Sequence, residues 1–137
     1  MARYAATREL LAPVEDVWAF IADPHNLAKW WPGVAGVEPD RRGLAPGARW
    51  QLQARAEMSF LPPAAGTVLV VEVRTPEYVH LQFVQDRLDA ELHLTRTGEH
   101  RSRAGLVVEA PFFSGRRAVP RRALARLYNL VQTGAEL

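Results

Sequence analysis

The side chains best suited to bind a charged ligand are arginines near the carboxyl-terminal end of the sequence. Five of them share one short stretch, which contains Arg116, Arg117, Arg121, Arg122 and Arg126. The dipole at the start of a helix disfavours cations there, so an anion would offset their charge. On a continuous helix Arg117 and Arg121 share the side of Leu124, where planar guanidinium groups would anchor a carboxylate, phosphate or enolate of a ligand. The alternative is a solvated basic face that pairs with acidic loops such as residues 38–40.

Other polar side chains show no spacing typical of a catalytic centre. The four histidines, His25, His80, His93 and His100, lack the spacing of metal ligands. No nucleophile elbow, phosphate loop or nucleotide-binding fingerprint occurs. We therefore predict no metal and no cofactor, and the catalytic residues, if any, are unknown. Tyr78, Tyr128 and Thr67 are further polar groups that would meet a bound ligand.

Length and composition predict one globular domain over residues 1–137. The absence of cysteine excludes disulfides, thiolate metal sites and thiol catalysis. The formal charge of +2 is far below that of most nucleic-acid-binding proteins, so we expect no nucleic-acid partner. No apolar region of a signal peptide follows Met1, and no run approaches the ~20 apolar residues of a membrane span, which favours a cytoplasmic protein with no integral membrane segment.

The first predicted elements are a strand and a helical elbow. Residues 4–11 alternate as a strand does, and Pro13 ends the strand because proline donates no ladder hydrogen bond. A helix follows, in which one face carries Val14, Val17, Trp18 and Ile21. Asp23 suits the cap of a second short helix, which ends at residues 32–33.

The middle of the sequence has the two-residue period of antiparallel strands. Residues 48–56 alternate and predict a half-buried strand. Residues 67–74 are almost continuously apolar, which indicates a strand that is buried on both faces or faces a cavity. Residues 78–84 alternate again and place Val79, Leu81 and Phe83 inward.

The next two predicted strands, residues 88–95 and 101–110, allow a register argument. Their inward positions are Leu88, Ala90, Leu92, Leu94, Ala104, Leu106, Val108 and Ala110. These face one another only across a loop with an odd number of residues, and Gly98–Glu99–His100 supplies three. The outer face then pairs His93, Glu91 and Asp89 with Gly105, Val107 and Glu109. His80 also lies outward, and the Asp89–Glu109 pair would act as acid and base only if buried.

The last predicted element is an amphipathic helix, which carries Leu124, Leu127, Tyr128 and Val131 on one face. Pro120 lacks a backbone donor and suits only the first turn of a helix. We therefore predict that the helix begins near Val119.

Several motifs along the chain resemble a known superfamily. Residues 12–24 read APVEDVWAFIADP and are followed by Leu27 and by WWPGV at residues 30–34. Residues 47–50 and 73–79, which read GARW and VRTPEYV, fall at turn-to-strand positions. Together these motifs resemble the SRPBCC superfamily of START and Bet v 1-like domains, above all its polyketide cyclase/dehydrase-type branch, over essentially the whole chain.

This resemblance implies an α+β helix-grip fold. In that fold a seven-stranded curved antiparallel sheet wraps around a long carboxyl-terminal helix, and two short helices follow the first strand. The resemblance also implies a cavity between sheet and helix, so we predict binding of a small, largely apolar molecule such as a lipid, a polyketide or an aromatic metabolite. The residues predicted to line the site are Trp18, Trp30, Trp31, Trp50, Phe60, Leu81, Phe83, Leu92, Leu106, Val108, Arg121, Leu124 and Tyr128.

Trp30 and Trp31 are adjacent, so one helix face cannot bury both. We expect one of them to pack in the core and the other to line the pocket or seal its mouth. The alternative is that both stabilise the fold.

The sequence leaves two other functions open. An enzyme of the cyclase or dehydratase type would act on a similar ligand through shape and a few polar groups. A protein-interaction domain, with a homodimer among its assemblies, would use the basic helix and the apolar loop at Met58, Phe60 and Leu61. That loop is alternatively a lid over the ligand, a membrane-touching tip or the end of a longer strand.

Overall fold

The strands of the chain form one antiparallel sheet, with a long helix at the end of the sequence. The computed structural model describes residues 1–54, 66–112 and 114–135. The elements are β1 (Ala2–Leu10), α1 (Val14–Ala22), a 3₁₀ turn (Pro24–Asn26), α2 (Leu27–Trp30), β2 (Val34–Pro39), β3 (Arg49–Ala54), β4 (Gly66–Arg74), β5 (Tyr78–Phe83), β6 (Leu88–Gly98), β7 (Arg101–Ala110) and α3 (Val119–Ala135). The seven strands follow the order β1-β7-β6-β5-β4-β3-β2, so β1 and β2 are the edges. The predicted α+β helix-grip architecture is confirmed.

The elbow after β1 forms as its sequence predicts. Helix α1 begins directly after Pro13 and buries Val14, Val17, Trp18 and Ile21. The side chain of Asp23 then accepts a hydrogen bond from the backbone N–H of His25 at 3.0 Å, which caps the 3₁₀ turn before α2. Strand β2 follows and was not predicted from the sequence.

Strand β4 differs from its prediction. Val68 and Val70 are buried, but Val71 is 41% exposed, so the strand is not buried on both faces. The pairing of β4 with β5 shifts between Val70 and Glu72. Such an irregularity adds an unpaired residue and breaks the alternation of faces. The apolar run of β4 crosses this irregularity, so one of its valines, Val71, faces solvent.

Strands β6 and β7 pair in the predicted register. His93 faces Gly105, Glu91 faces Val107 and Asp89 faces Glu109. The connection is shorter than expected, because β6 extends to Gly98 and leaves only two connecting residues. A register shift between Arg96 and Gly98 accounts for the difference.

Helix α3 begins at Val119, as predicted from Pro120. Proline in the first helical turn loses no hydrogen bond, because first-turn amides have no partner within the helix. The buried face of α3 includes Ala123, Leu124, Leu127 and Val131. The helix packs most closely against β1, β7, α1 and α2, so it lies over the β1 side of the sheet.

Candidate ligand-binding site

The inward side chains of neighbouring strands stand in rows across the sheet. The first row contains Trp50, Val68, Phe83 and Leu88. The second contains Val70, Leu81, Ala90, Val108 and Tyr4. The third contains Val79, Leu92, Leu106 and Ala6. None of these three rows, which we call the inner face, includes a charged side chain.

An aromatic cluster covers one end of the inner face. The ring of Trp31 stacks on Phe83, with centroids 4.7 Å apart and planes inclined by 22°. Trp30 meets Trp31 edge-on at 5.7 Å. Trp31 follows the last residue of α2 and has an extended backbone, with φ −88° and ψ 125°, so its side chain leaves the helical face that Trp30 keeps. Both indoles are therefore buried, which agrees with the alternative that both stabilise the fold.

Most of the predicted site residues belong to one buried apolar cluster. Its members from the prediction are Trp18, Trp30, Trp31, Trp50, Leu81, Phe83, Leu92, Leu106, Val108 and Leu124. Trp50 also donates a hydrogen bond from Nε1 to the carbonyl oxygen of Gly43 at 2.9 Å, so its polar atom is satisfied within the fold. Phe60, with the rest of the predicted apolar loop at residues 58–61, lies outside the described residues.

Tyr128 and Arg121 lie along the seam between β1 and α3. Tyr128 is half-buried, and the guanidinium carbon of Arg8 lies 4.4 Å from the centre of its ring. Arg121 is exposed and lines a cleft of about 350 Å³ with Arg117, Ala5, Ala6, Ala118 and Pro120. The predicted proximity of Arg117 and Arg121 holds, but Leu124 is buried and is not among the residues that line this cleft.

Arg116 has a different role from the other arginines of its stretch. Its guanidinium lies 3.2 Å from the carboxylate of Asp86, and their side chains are only 7% and 23% exposed. A solvated face is therefore the wrong description for this residue. The partner Asp86 was not predicted, because no local sequence pattern pairs two residues that only the fold brings together.

The outer face of the sheet carries a row of polar pairs. The hydroxyl of Tyr78 donates to Glu91 at 2.5 Å, and Nε2 of His80 lies 2.7 Å from Asp89. Burial raises the pKa of Tyr78 to about 12, and the hydrogen bond and charge of Glu91 act in the same direction. Tyr78 therefore does not face the inner surface, contrary to its prediction as a ligand contact.

Two further predicted groups also lie on the outer face. The Thr67 hydroxyl lies 3.4 Å from the side-chain oxygen of Gln51, its exposed cross-strand neighbour, so Thr67 does not face the inner surface either. Asp89 and Glu109 do face each other, but Glu109 lies 3.6 Å from Arg3 while Asp89 pairs with His80. Because both carboxylates are partly exposed and have separate partners, they do not form a buried acid–base unit.

A second cleft, of about 410 Å³, lies between the start of α1 and the turn from β4 to β5. It is lined by Val14, Pro76, Glu77, Leu94, Thr95 and Arg96. Arg96 forms an ion pair with Glu15 at its rim. Within residues 1–54, 66–112 and 114–135, no group of three or more His, Asp or Glu side chains is placed to hold a metal ion. In the same part of the chain, no helix is long and apolar enough to cross a membrane.

The architecture and the apolar inner face define a helix-grip domain of the Bet v 1-like class. Solved structures of other proteins share this fold over nearly the full chain. XoxI from Bacillus cereus matches with a TM-score of 0.74 and 13% identity, covering 98% of this chain and 99% of that one. A point mutant of norcoclaurine synthase from Thalictrum flavum, in complex with a transition-state analogue, matches with a TM-score of 0.67 and 14% identity, covering 98% and 96%. At these identities the likeness concerns the fold alone.

The sequence itself matches the model of one family, described as polyketide cyclase/dehydrase and lipid transport, over residues 1–131. The chain therefore belongs to this family, which confirms the resemblance to the SRPBCC superfamily. No curated protein gives a significant match to the sequence.

Proposed function

We propose that the protein binds a small, largely apolar molecule between the inner face of its sheet and helix α3. The observation that carries this proposal is the inner face itself, whose three rows together extend from β3 to β1 and contain no charged side chain. The family description supports the proposal, because both lipid transport and polyketide chemistry require an apolar ligand to be held out of water.

The hydrophobic effect sets the expected affinity. A chain of about twelve methylenes gains roughly 10 kcal/mol at ~0.8 kcal/mol per buried CH₂. Association opposes this gain through lost translational, rotational and internal freedom. The net free energy is therefore smaller than this gain, and a dissociation constant of 1 μM already corresponds to about −8 kcal/mol. We expect medium-chain aliphatic and polycyclic aromatic compounds to bind in the micromolar range and no more tightly.

The test uses N-phenyl-1-naphthylamine, a neutral apolar dye that fluoresces when it leaves water. We expect saturable binding, and displacement of the dye by dodecanol. Ala90, which stands between Leu81 and Val108 in the second row, offers a way to fill the interior. Ala90→Leu should weaken dye binding by about tenfold or more, since the added side chain takes ligand volume. The matched control is Ala35→Leu at an exposed strand position, which should leave binding unchanged.

Unfolding measurements on the same variants separate an open interior from a filled one. In a close-packed core, Ala90→Leu would cost about 1–3 kcal/mol of unfolding free energy. Where space for a ligand exists, the leucine fits with little loss of stability. A natural protein that binds neither the dye nor dodecanol, together with a strongly destabilised Ala90→Leu variant, would refute the proposed function.

A further inference from the structure

We propose that the cleft between β1 and the start of α3 binds an oxyanion, and that this oxyanion is the carboxylate or phosphate head group of the apolar ligand. The inference rests on the proposed function, because it places the polar end of the same molecule. It narrows the ligand class from apolar compounds in general to amphipathic anions.

The first support is the geometry of the cleft. Its volume of about 350 Å³ exceeds what a head group alone requires, and both Arg117 and Arg121 line it. The remaining lining residues are Ala5, Ala6, Ala118 and Pro120, which offer no acidic side chain and leave room beside the two guanidinium groups. Two guanidinium groups on one cleft match the paired oxygens of a carboxylate or phosphate.

The second support is the charge of the cleft. Among the described residues, neither Arg117 nor Arg121 forms an ion pair or a side-chain hydrogen bond. Their neighbour Arg116, in contrast, is paired with Asp86. Both arginines also stand where α3 begins, and the dipole of the helix adds positive potential there. A bound anion would offset this local excess of positive charge.

The third support is the connection between the cleft and the inner face. Ala6 lines the cleft and also ends the third row, opposite Leu106. Two residues further along β1, Arg8 stands over the ring of the half-buried Tyr128. The cationic seam of Arg8, Arg117 and Arg121 therefore borders the apolar interior. A ligand with its head on this seam extends its hydrocarbon part along the third row.

The experiment compares dodecanoate with dodecanol, which differ only at the head, by displacement of the neutral dye at neutral pH. We expect dodecanoate to bind roughly tenfold more tightly, a size in keeping with two partly exposed ion pairs. High salt should reduce the affinity for dodecanoate and spare that for dodecanol, because exposed charges are screened. Dodecyl phosphate, measured in the same assay, distinguishes the two head groups. The preferred oxyanion is the head group that increases the affinity over that of dodecanol by the larger factor.

The decisive variant is the double substitution Arg117→Gln and Arg121→Gln, which removes both charges and leaves polar, uncharged side chains at the cleft. It should abolish the preference for dodecanoate and leave dodecanol binding unchanged. Arg122→Gln is the matched control, since Arg122 is exposed on the same helix and does not line the cleft; this variant should keep the preference. Equal affinities of the natural protein for the two compounds, or a preference that survives the double substitution, would overturn the oxyanion site alone. Failure of dodecanol to bind at all would count against the proposed function.

Discussion

The guanidinium of Arg116 lies 3.2 Å from the carboxylate of Asp86 and joins the approach to α3 to the turn between β5 and β6. Arg116 itself is buried. The backbone N–H of Val119, the first residue of α3, also donates to the carbonyl oxygen of Arg116 at 3.1 Å. The ion pair therefore helps to fix where the helix begins, and with it the cleft that contains Arg117 and Arg121.

Removal of this ion pair should destabilise the fold. Asp86→Asn leaves a buried guanidinium with a weaker partner, so we expect the free energy of unfolding to fall by about 1–3 kcal/mol. Urea denaturation measures the change. The control is Glu72→Gln, which breaks the ion pair with Arg74 on side chains that are 52% and 60% exposed and should cost less than about 1 kcal/mol. Equal losses in the two variants would show that burial does not strengthen the pair.

The stack of Trp31 on Phe83 should make a large contribution to stability. Phe83→Ala removes a buried ring and should cost about 3–5 kcal/mol, with Phe83→Leu intermediate if the alanine variant does not fold. Phe112→Ala is the control, because Phe112 is 65% exposed and should change stability by less than about 0.5 kcal/mol. Thermal or urea unfolding ranks the three variants by their free energy of unfolding. A Phe83→Leu variant as stable as Phe112→Ala would contradict the stacking argument.

The raised pKa of Tyr78 predicts a specific dependence on alkaline pH. This pKa is about 12 in the folded protein, against about 10 for tyrosine in an unfolded chain. Between these values the unfolded state releases the proton first, so the stabilisation is complete below about pH 10 and is lost as the pH rises towards 12. In Tyr78→Phe the free energy of unfolding should decline less steeply over this pH range, and the tyrosinate absorbance that appears near pH 12 should be lost. The control Tyr4→Phe should keep both the decline and this absorbance. An unchanged decline in Tyr78→Phe would refute the assignment.

The lowered pKa of Asp40 predicts that the stability of the fold decreases as the pH falls into the acidic range. Its two carboxylate oxygens accept hydrogen bonds from the backbone N–H groups of Arg49, at 2.9 Å, and Arg42, at 3.0 Å, and these bonds lower its pKa. A lowered pKa stabilises the fold above the ordinary aspartate value of about 3.9, and this contribution is lost as the pH falls through the folded-state pKa.

The variant Asp40→Asn imitates the protonated side chain. It should therefore melt at a lower temperature than the natural protein at neutral pH, and the gap should close in acid. Glu99→Gln is a control, because Glu99 forms no ion pair or side-chain hydrogen bond among the described residues. A melting difference for Asp40→Asn that stays constant across this pH range would contradict the prediction.

Strands β6 and β7 show how much of the fold the sequence predicts. A shift of one residue would turn Leu92 and Leu106 towards solvent, so the apolar pattern excludes a one-residue slip of the register. The same alternation also shows that Tyr78 should not have been predicted as a ligand contact, because it places the neighbouring Val79 inward and Tyr78 therefore outward. Strand β2 was missed since Gly36 and Pro39 are typical of turns, although an edge strand tolerates proline.

The contacts that build the candidate site were harder to predict. Asp86 with Arg116, and Arg8 with Tyr128, are joined only by the completed sheet and the path of the chain to α3. Periodicity assigns a residue to a face, but it does not say which distant residue stands beside it. Most members of the buried apolar cluster and the proximity of Arg117 and Arg121 were therefore predicted, whereas the other residues of the cleft and the partner of Arg116 required the structure.

The pairing of β1 with β7 has a consequence for synthesis of the chain. Strand β1 lies at the edge of the sheet, and β7 is its only strand partner within the described ranges, with Leu10 opposite Ser102. At ~5–20 residues per second, roughly 5–20 seconds pass on the ribosome between the first of these residues and the second. During that time β1 has exposed backbone groups and no native neighbour. Until β7 has been made, the hydrogen-bonding groups along β1 are therefore satisfied by water and not by the sheet.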